Sequence, residues 1–202
     1  MSKVVLYMSM SVDGFIAGPD DGPGRGLGVG GERLHDWLGA GETDPGSYRP
    51  AGDGPSAAVF DEMMATGAVI TGRRTFDHAG GWAGDHHGGV PVFVLTHDVP
   101  DDPPPGCVRY VTDVRECAAQ ARAAAGDADV MVHGAGAAQA LLRIGELDEM
   151  ELHVVPVLLG QGRRLFDHLP AEHIELDLLR RLTPDDGDLA HRVMHLRYRV
   201  RP

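Results

Sequence analysis

The chain has 202 residues, 43% of them hydrophobic and 24% charged, which is the balance of one soluble globular domain with a full core. A formal net charge of −12 argues against a nucleic-acid-binding surface, which is normally basic, yet a few local arginines can still hold an anionic small ligand. Two cysteines, Cys107 and Cys117, match no zinc spacing and are too few for a disulfide framework, no signal-peptide pattern opens the chain, and no run is long enough to span a bilayer, so a cytoplasmic setting without membrane contact is expected.

In chain order, Lys3 to Met10 (KVVLYMSM) is apolar enough for a central strand. It runs into Ser11-Val12-Asp13-Gly14-Phe15-Ile16-Ala17, where Asp13-Gly14 reads either as a tight turn or as a ligand group at a strand end. Residues 18–55 are rich in Gly and Pro, with one helical piece at Glu32 to Leu38 carrying Trp37. An insertion of that length in a single domain is either a substrate-side lid or disordered. Ser56 is the expected N-cap of a helix through Thr66, with Val59, Phe60, Met63 and Met64 on its buried side.

Ala68 to Thr71 is a short strand, followed by Gly72-Arg73-Arg74-Thr75-Phe76 at the start of a helix. Two guanidiniums and a hydroxyl beside a helix start form a phosphate clamp, against the plainer reading of an exposed basic turn. His78, Asp85, His86 and His87 follow no defined metal motif and read as a solvated loop, so no metal site is expected. Val90 to Thr96 and Cys107 to Val111 are further strands, and Asp113 caps an alanine-rich helix to Ala125.

Val130 to Val132 is another buried strand, His133-Gly134-Ala135-Gly136 a turn, and Ala137 to Ile144 a helix stopped by Gly145. The apolar, β-branched run from Glu151 to Leu159 then completes a βαβ unit closed by Gly160-Gln161-Gly162. The glycine turn suits either an anion or a plain structural role. It is no dinucleotide fingerprint, because Gln139 stands at the third glycine position and no acidic residue ends the second strand. Finally, His173 to Leu182 and Leu189 to Arg199 read as an antiparallel hairpin turning at Thr183 to Asp188. Alternating strands and helices up to Val155 argue for an α/β domain with a mostly parallel sheet. Three strand ends, with Thr96-His97 as a fourth, then deliver candidate ligand groups to one rim, which suggests a nucleotide lying across it.

The order of these motifs resembles the dihydrofolate reductase-like family, most closely the branch of the riboflavin-biosynthesis reductase domain and its stand-alone relatives. The residues that carry it are Ser11 to Ala17, Gly72 to Phe76, Val94-Leu95-Thr96, His133 to Gly136, Leu147-Asp148-Glu149, and Pro156 to Gly162 through Leu165-Phe166. The resemblance implies a dihydrofolate reductase-like mixed, mostly parallel central sheet flanked by helices, with a C-terminal antiparallel hairpin. It also implies NADP(H) as cofactor, hydride transfer to a small heterocyclic or carbonyl substrate, and a homodimer. Arg73, Arg74 and Thr75 would hold phosphates, including the 2′-phosphate, and Thr96 would lie near the adenosine ribose. Gly134, Ala135 and Gly136 would contact the pyrophosphate and nicotinamide side, Gly160 and Gly162 would also be cofactor-binding, and Asp13 would face the substrate as polar anchor or proton relay. The alternative is a non-catalytic NADP-binding protein or sensor. Folate reduction and a housekeeping riboflavin role are not expected, since the pterin-anchoring acid motif and the zinc deaminase ligands are missing from the sequence.

Overall fold

The computed structural model describes residues 2–39, 49–50, 52–102, 106–167, 169, 173–183 and 193–201. In chain order the elements are β1 (Val4–Ser11), β2 (Phe15–Ala17), a 3-10 helix (Gly31–Leu38) and α1 (Pro55–Met64). Next come β3 (Ala68–Gly72), α2 (Arg73–His78), a short turn segment (Gly80–Gly84), β4 (Val92–Leu95) and β5 (Val108–Val111). The chain continues with α3 (Val114–Ala125), β6 (Val130–His133), α4 (Ala135–Ile144), β7 (Glu149–Val155), β8 (Arg163–Arg164), β9 (Leu176–Leu182) and β10 (Met194–Val200).

One eight-stranded sheet runs in the order β5-β4-β3-β6-β1-β7-β10-β9. Every pairing from β5 to β7 is parallel, while β10 runs antiparallel to both β7 and β9. The mixed, mostly parallel sheet with a C-terminal antiparallel pair is therefore as the motif order implies. Alternation along β1 divides the core into two layers. Val4 and Leu6 join Ile70, Phe93 and Val132 against Cys117, Ala121, Ala138 and Leu141 of α3 and α4. Val5 and Tyr7 join Val69, Val94 and Met131 against Met63 of α1 and Phe76 of α2. Because β1, β3, β4 and β6 are parallel, their C-terminal ends, at Ser11, Gly72, Leu95 and His133, open on one edge.

Local chemistry sets the boundaries. Asp113 caps α3 by accepting a 2.9 Å bond from the Glu116 amide. Ser56 does not cap α1: the helix begins one residue earlier, at Pro55, whose fixed φ suits the first helical position, and Gly54 is the cap. The Ser56 hydroxyl instead lies 3.1 Å from Nε2 of His195. β7 begins at Glu149 and stops at Val155, shorter at its C-terminal end than the apolar run suggests. Pro156 follows, and the Val157 amide turns back to the Val155 carbonyl at 2.8 Å. The α4 helix starts at Ala135, so Gly136 lies in its first turn rather than before it. Within the insertion, 18–39 folds back on itself through Gly18 N to Leu27 O and Val29 N to Pro19 O. Residues 40–48 and 51 of that insertion, most of the Thr183–Asp188 turn and the start of the last predicted strand lie outside the described residues.

Candidate active site

A cavity of about 900 Å³ opens between the α1 side of the sheet, residues 16–38 and the 74–88 segment. Tyr7 and Ser9 of β1 form part of its floor, with His133 at the end of β6 and His153 on β7. Trp37, Phe60, Met63, Met64 and Trp82 supply apolar and aromatic walls. Trp37 is held by its indole N–H, which donates to Ser9 Oγ at 2.9 Å, and its ring lies 4.5 Å from that of His153. Trp82 sits on a backbone of three successive left-handed residues, Gly81, Trp82 and Ala83, a conformation that costs about 1–3 kcal/mol per non-glycine residue. That strain points its ring at His86 (4.7 Å) and His133 (6.2 Å).

The cavity is rich in histidine: His35, His78, His86, His87, His133 and His153 all line it. Burial pushes His133 down to about 4 and His86 down to about 2, so both imidazoles are neutral at pH 7. Their tautomers follow from their partners. Nδ1 of His133 lies 3.0 Å from the Tyr7 carbonyl, which can only accept, so Nδ1 carries the proton and Nε2 keeps a lone pair. By the same logic His87 Nε2 donates to the Thr66 carbonyl at 3.1 Å and its Nδ1 accepts from His86 Nδ1 at 2.8 Å. His86 Nε2 is then an acceptor as well.

The cavity wall also carries a charged cluster that local sequence patterns do not reveal. Asp21, on the loop after β2, receives Arg74 Nη2 at 2.9 Å and Arg163 Nε at 3.3 Å, with His78 Nδ1 at 3.6 Å. Although burial opposes ionisation of Asp21, the two guanidiniums hold its carboxyl below the usual range. Asp21, Arg74, His78 and Arg163 all border the cavity.

Of the residues singled out in the sequence, Arg74 and Thr75 line the cavity. Gly134 is brought against Thr75: a Cβ at Gly134, whose φ is +85°, would lie 2.2 Å from Thr75 Oγ1. Gly72 packs near the Ala137 amide, while Ala135 is buried and Gly136 exposed in the first turn of α4. Arg73 points away from Arg74. Its Nε donates to both Asp77 oxygens at 2.9 Å and its guanidinium lies 5.5 Å from the Tyr110 ring centre. Thr96 and Arg73 meet at Asp98, whose carbonyl accepts from Thr96 Oγ1 at 2.9 Å and from Arg73 Nη1 at 3.5 Å.

Asp13 is absent from the cavity wall. Its carboxylate accepts from Ser11 Oγ at 2.6 Å, Leu159 N at 3.2 Å and Gly160 N at 2.7 Å, and the Ser11 bond leads in holding it below the usual carboxylate range. It ties the β1 turn to the segment after β7. Gly160 thus meets Asp13, and Gly162 passes so close to Ala17 that a Cβ would lie 2.0 Å from its carbonyl oxygen.

Solved structures with this architecture include a Shewanella sp. PV-4 protein assigned to riboflavin biosynthesis, at TM-score 0.68 and 20% identity over 99% of both chains. Dihydrofolate reductase from Enterococcus faecalis, solved with NADP(H) and RAB-propyl, superposes at TM-score 0.59 and 13% identity, covering 99% of this chain and 97% of that one. The fold is therefore dihydrofolate reductase-like. The chain belongs to the RibD C-terminal domain family, whose model matches residues 2–187, a family of reductase type. No curated protein matches the chain. No described helix is long and apolar enough to cross a membrane.

Proposed function

We propose that the protein is an NADPH-dependent oxidoreductase that transfers a hydride to a small heterocyclic or carbonyl compound. The observation that carries this reading is the contact of Thr75 with the Gly134 turn on one sheet edge, with Arg74 and Thr75 lining a 900 Å³ cavity. The groups present suit a dinucleotide. The first N–H groups of α4 have no intrahelical partner, Gly134 leaves room where any side chain would collide, and arginine forks match phosphates. Arg74 and Thr75 would hold the pyrophosphate, while Arg73 beside Thr96 would hold the 2′-phosphate. When bound, the cofactor supplies the hydride chemistry. The protein's part is to orient the two reactants and exclude water, for which Trp37, Trp82 and the methionines provide the walls. The acceptor nitrogens of His86 and His133 suit a substrate bearing N–H donors. Asp13 is assigned a positioning role through Leu159 and Gly160.

Asp21 stands where an anion would sit on Arg74. Asp21→Asn is expected to tighten NADPH about fivefold, because ion pairs whose guanidiniums are half-exposed are worth about 1 kcal/mol in total here. Weaker binding in that variant, measured by calorimetry, would make Asp21 an orienting group and not a competitor. Arg73→Ala should weaken NADPH by about tenfold and NADH far less. An equal loss for both nucleotides would remove the 2′-phosphate assignment.

The second reading is a non-catalytic NADP-binding protein, and the engagement of Asp13 away from the cavity favours it. Single-turnover oxidation of NADPH against a panel of heterocycles separates the two: oxidation with any of them supports the enzyme, and binding without oxidation supports the sensor. A homodimer is also proposed, since Leu176, Leu178, Met194 and Tyr198 share an outer face of the β9–β10 hairpin, with Leu178 57% exposed. A cytoplasmic location completes the proposal.

A further inference from the structure

Beneath the cavity floor, β7 and β10 bring together three side chains with the chemistry of metal ligands. Alternate residues of a strand share a face, so Glu151 and His153 project to the same side, and the antiparallel register sets His195 directly opposite His153. One potential ligand atom from each lies within 4.8 Å of the others, and all three residues are buried. Two atoms of the cluster are unmatched: Glu151 Oε1 and His153 Nε2 are buried with no hydrogen-bond partner, an arrangement that normally costs about 1–3 kcal/mol per group.

We propose that Glu151, His153 and His195 form a binding site for one divalent transition-metal ion, zinc being the simplest. Two imidazoles and a carboxylate are a donor set that such ions favour, and three protein ligands leave a coordination position open. Outer contacts already orient two of the groups. Ser56 Oγ lies 3.1 Å from His195 Nε2, and Arg180 takes Glu151 Oε2 at 2.7 Å, leaving Oε1 unused. His153 also borders the cavity, which gives an ion a route of entry.

Two features oppose the ion and set the expected affinity. It would break the 2.9 Å bond between His153 Nδ1 and His195 Nδ1, which metal–nitrogen bonds would offset. It would also lie near Arg180 and Arg197, the latter 3.8 Å from Glu151 Oε2. Those guanidiniums are matched by the carboxylates of Glu62, Glu149 and Glu151, with Lys3 on Glu149 at the rim. Affinity in the micromolar range is therefore expected, well short of a dedicated structural zinc site.

The test is titration of the chelator-treated full-length protein with Co²⁺, followed by visible d–d absorption and melting temperature. One equivalent should bind, be displaced by Zn²⁺, and raise the melting temperature. His195→Gln and Glu151→Gln should each weaken binding by at least about tenfold. A His86→Gln/His87→Gln double variant should retain it, because that pair is separate from the site. No spectral change and no melting shift up to about 100 µM ion in the unaltered protein would overturn the proposal, and this arm needs no variant to fold. Binding that survives His195→Gln, or that disappears with His86 and His87, would overturn it equally. None of these readings depends on whether NADPH binds.

Discussion

Arg197→Ala is expected to lower stability by about 3–5 kcal/mol, measured by urea unfolding at pH 7. Arg197 lies 8% exposed on β10, and its Nε donates to Glu149 Oε2 at 2.6 Å, with Glu149 itself 3% exposed. The same guanidinium reaches Glu62 and the Tyr7 hydroxyl. Although burial pushes the Glu149 carboxyl up, Lys3 and Arg197 together hold it below the usual range, so it is a charge when folded. Removing Arg197 leaves that buried charge with only the half-exposed Lys3, 2.8 Å from Glu149 Oε1, as a partner, which costs more than the Arg197 pair contributes net. The double variant Arg197→Leu/Glu149→Leu is therefore expected to be the less damaged of the two, since it leaves fewer buried charges unmatched. A loss below about 1 kcal/mol in Arg197→Ala would show that water reaches this layer.

Gly134→Ala is expected to damage both stability and cofactor binding. The φ of +85° and ψ of 150° at this position belong to a region that essentially only glycine occupies, and leaving it costs about 1–3 kcal/mol. The new methyl would also meet Thr75 Oγ1 at 2.2 Å, which forces either the turn or α2 to move. Because that shift displaces the proposed phosphate seat, NADPH affinity should fall by at least about tenfold alongside the stability. Adding Thr75→Ala removes the 2.2 Å contact, leaving the Cβ of residue 75 at 3.0 Å and the backbone strain in place, so the double variant should recover part of the stability. No recovery would mean that backbone conformation, and not the collision, dominates.

The parts of the fold that were legible in the sequence are those with local signatures. Strand-length apolar runs at Val4–Tyr7 and Val130–Val132, the Asp113 cap and the Gly145 stop all rest on contacts within a few residues. The errors fall where a tertiary contact decides. The run through Leu159 looked like strand because Val157 and Leu159 are apolar, but they pack on Leu34 and Trp37 from outside the sheet. Ser56 looked like a cap because its hydroxyl could serve one, whereas the fold spends it on His195, 139 residues away.

The candidate site divides in the same way. Arg74, Thr75 and Gly134 were visible as a glycine-and-arginine pattern at strand ends, and the parallel sheet brings Thr75 against Gly134 while Arg74 lines the cavity. Asp21 was not visible, since its bond to Arg74 spans 53 residues and that to Arg163 spans 142. The histidines gather from several separate segments, each unremarkable alone. Only the Glu-x-His spacing at Glu151 and His153, with alternation at His195 and Arg197, offered a sequence hint of a polar sheet face.

Whether this edge of the sheet holds NADPH is decided by titrating the purified protein with NADPH and with NADH while following intrinsic fluorescence. Trp37 and Trp82 both line the cavity, so a bound nicotinamide should quench them. Micromolar binding of NADPH is expected, about −8 kcal/mol, with NADH weaker by at least about tenfold. No saturable binding of either nucleotide would contradict it.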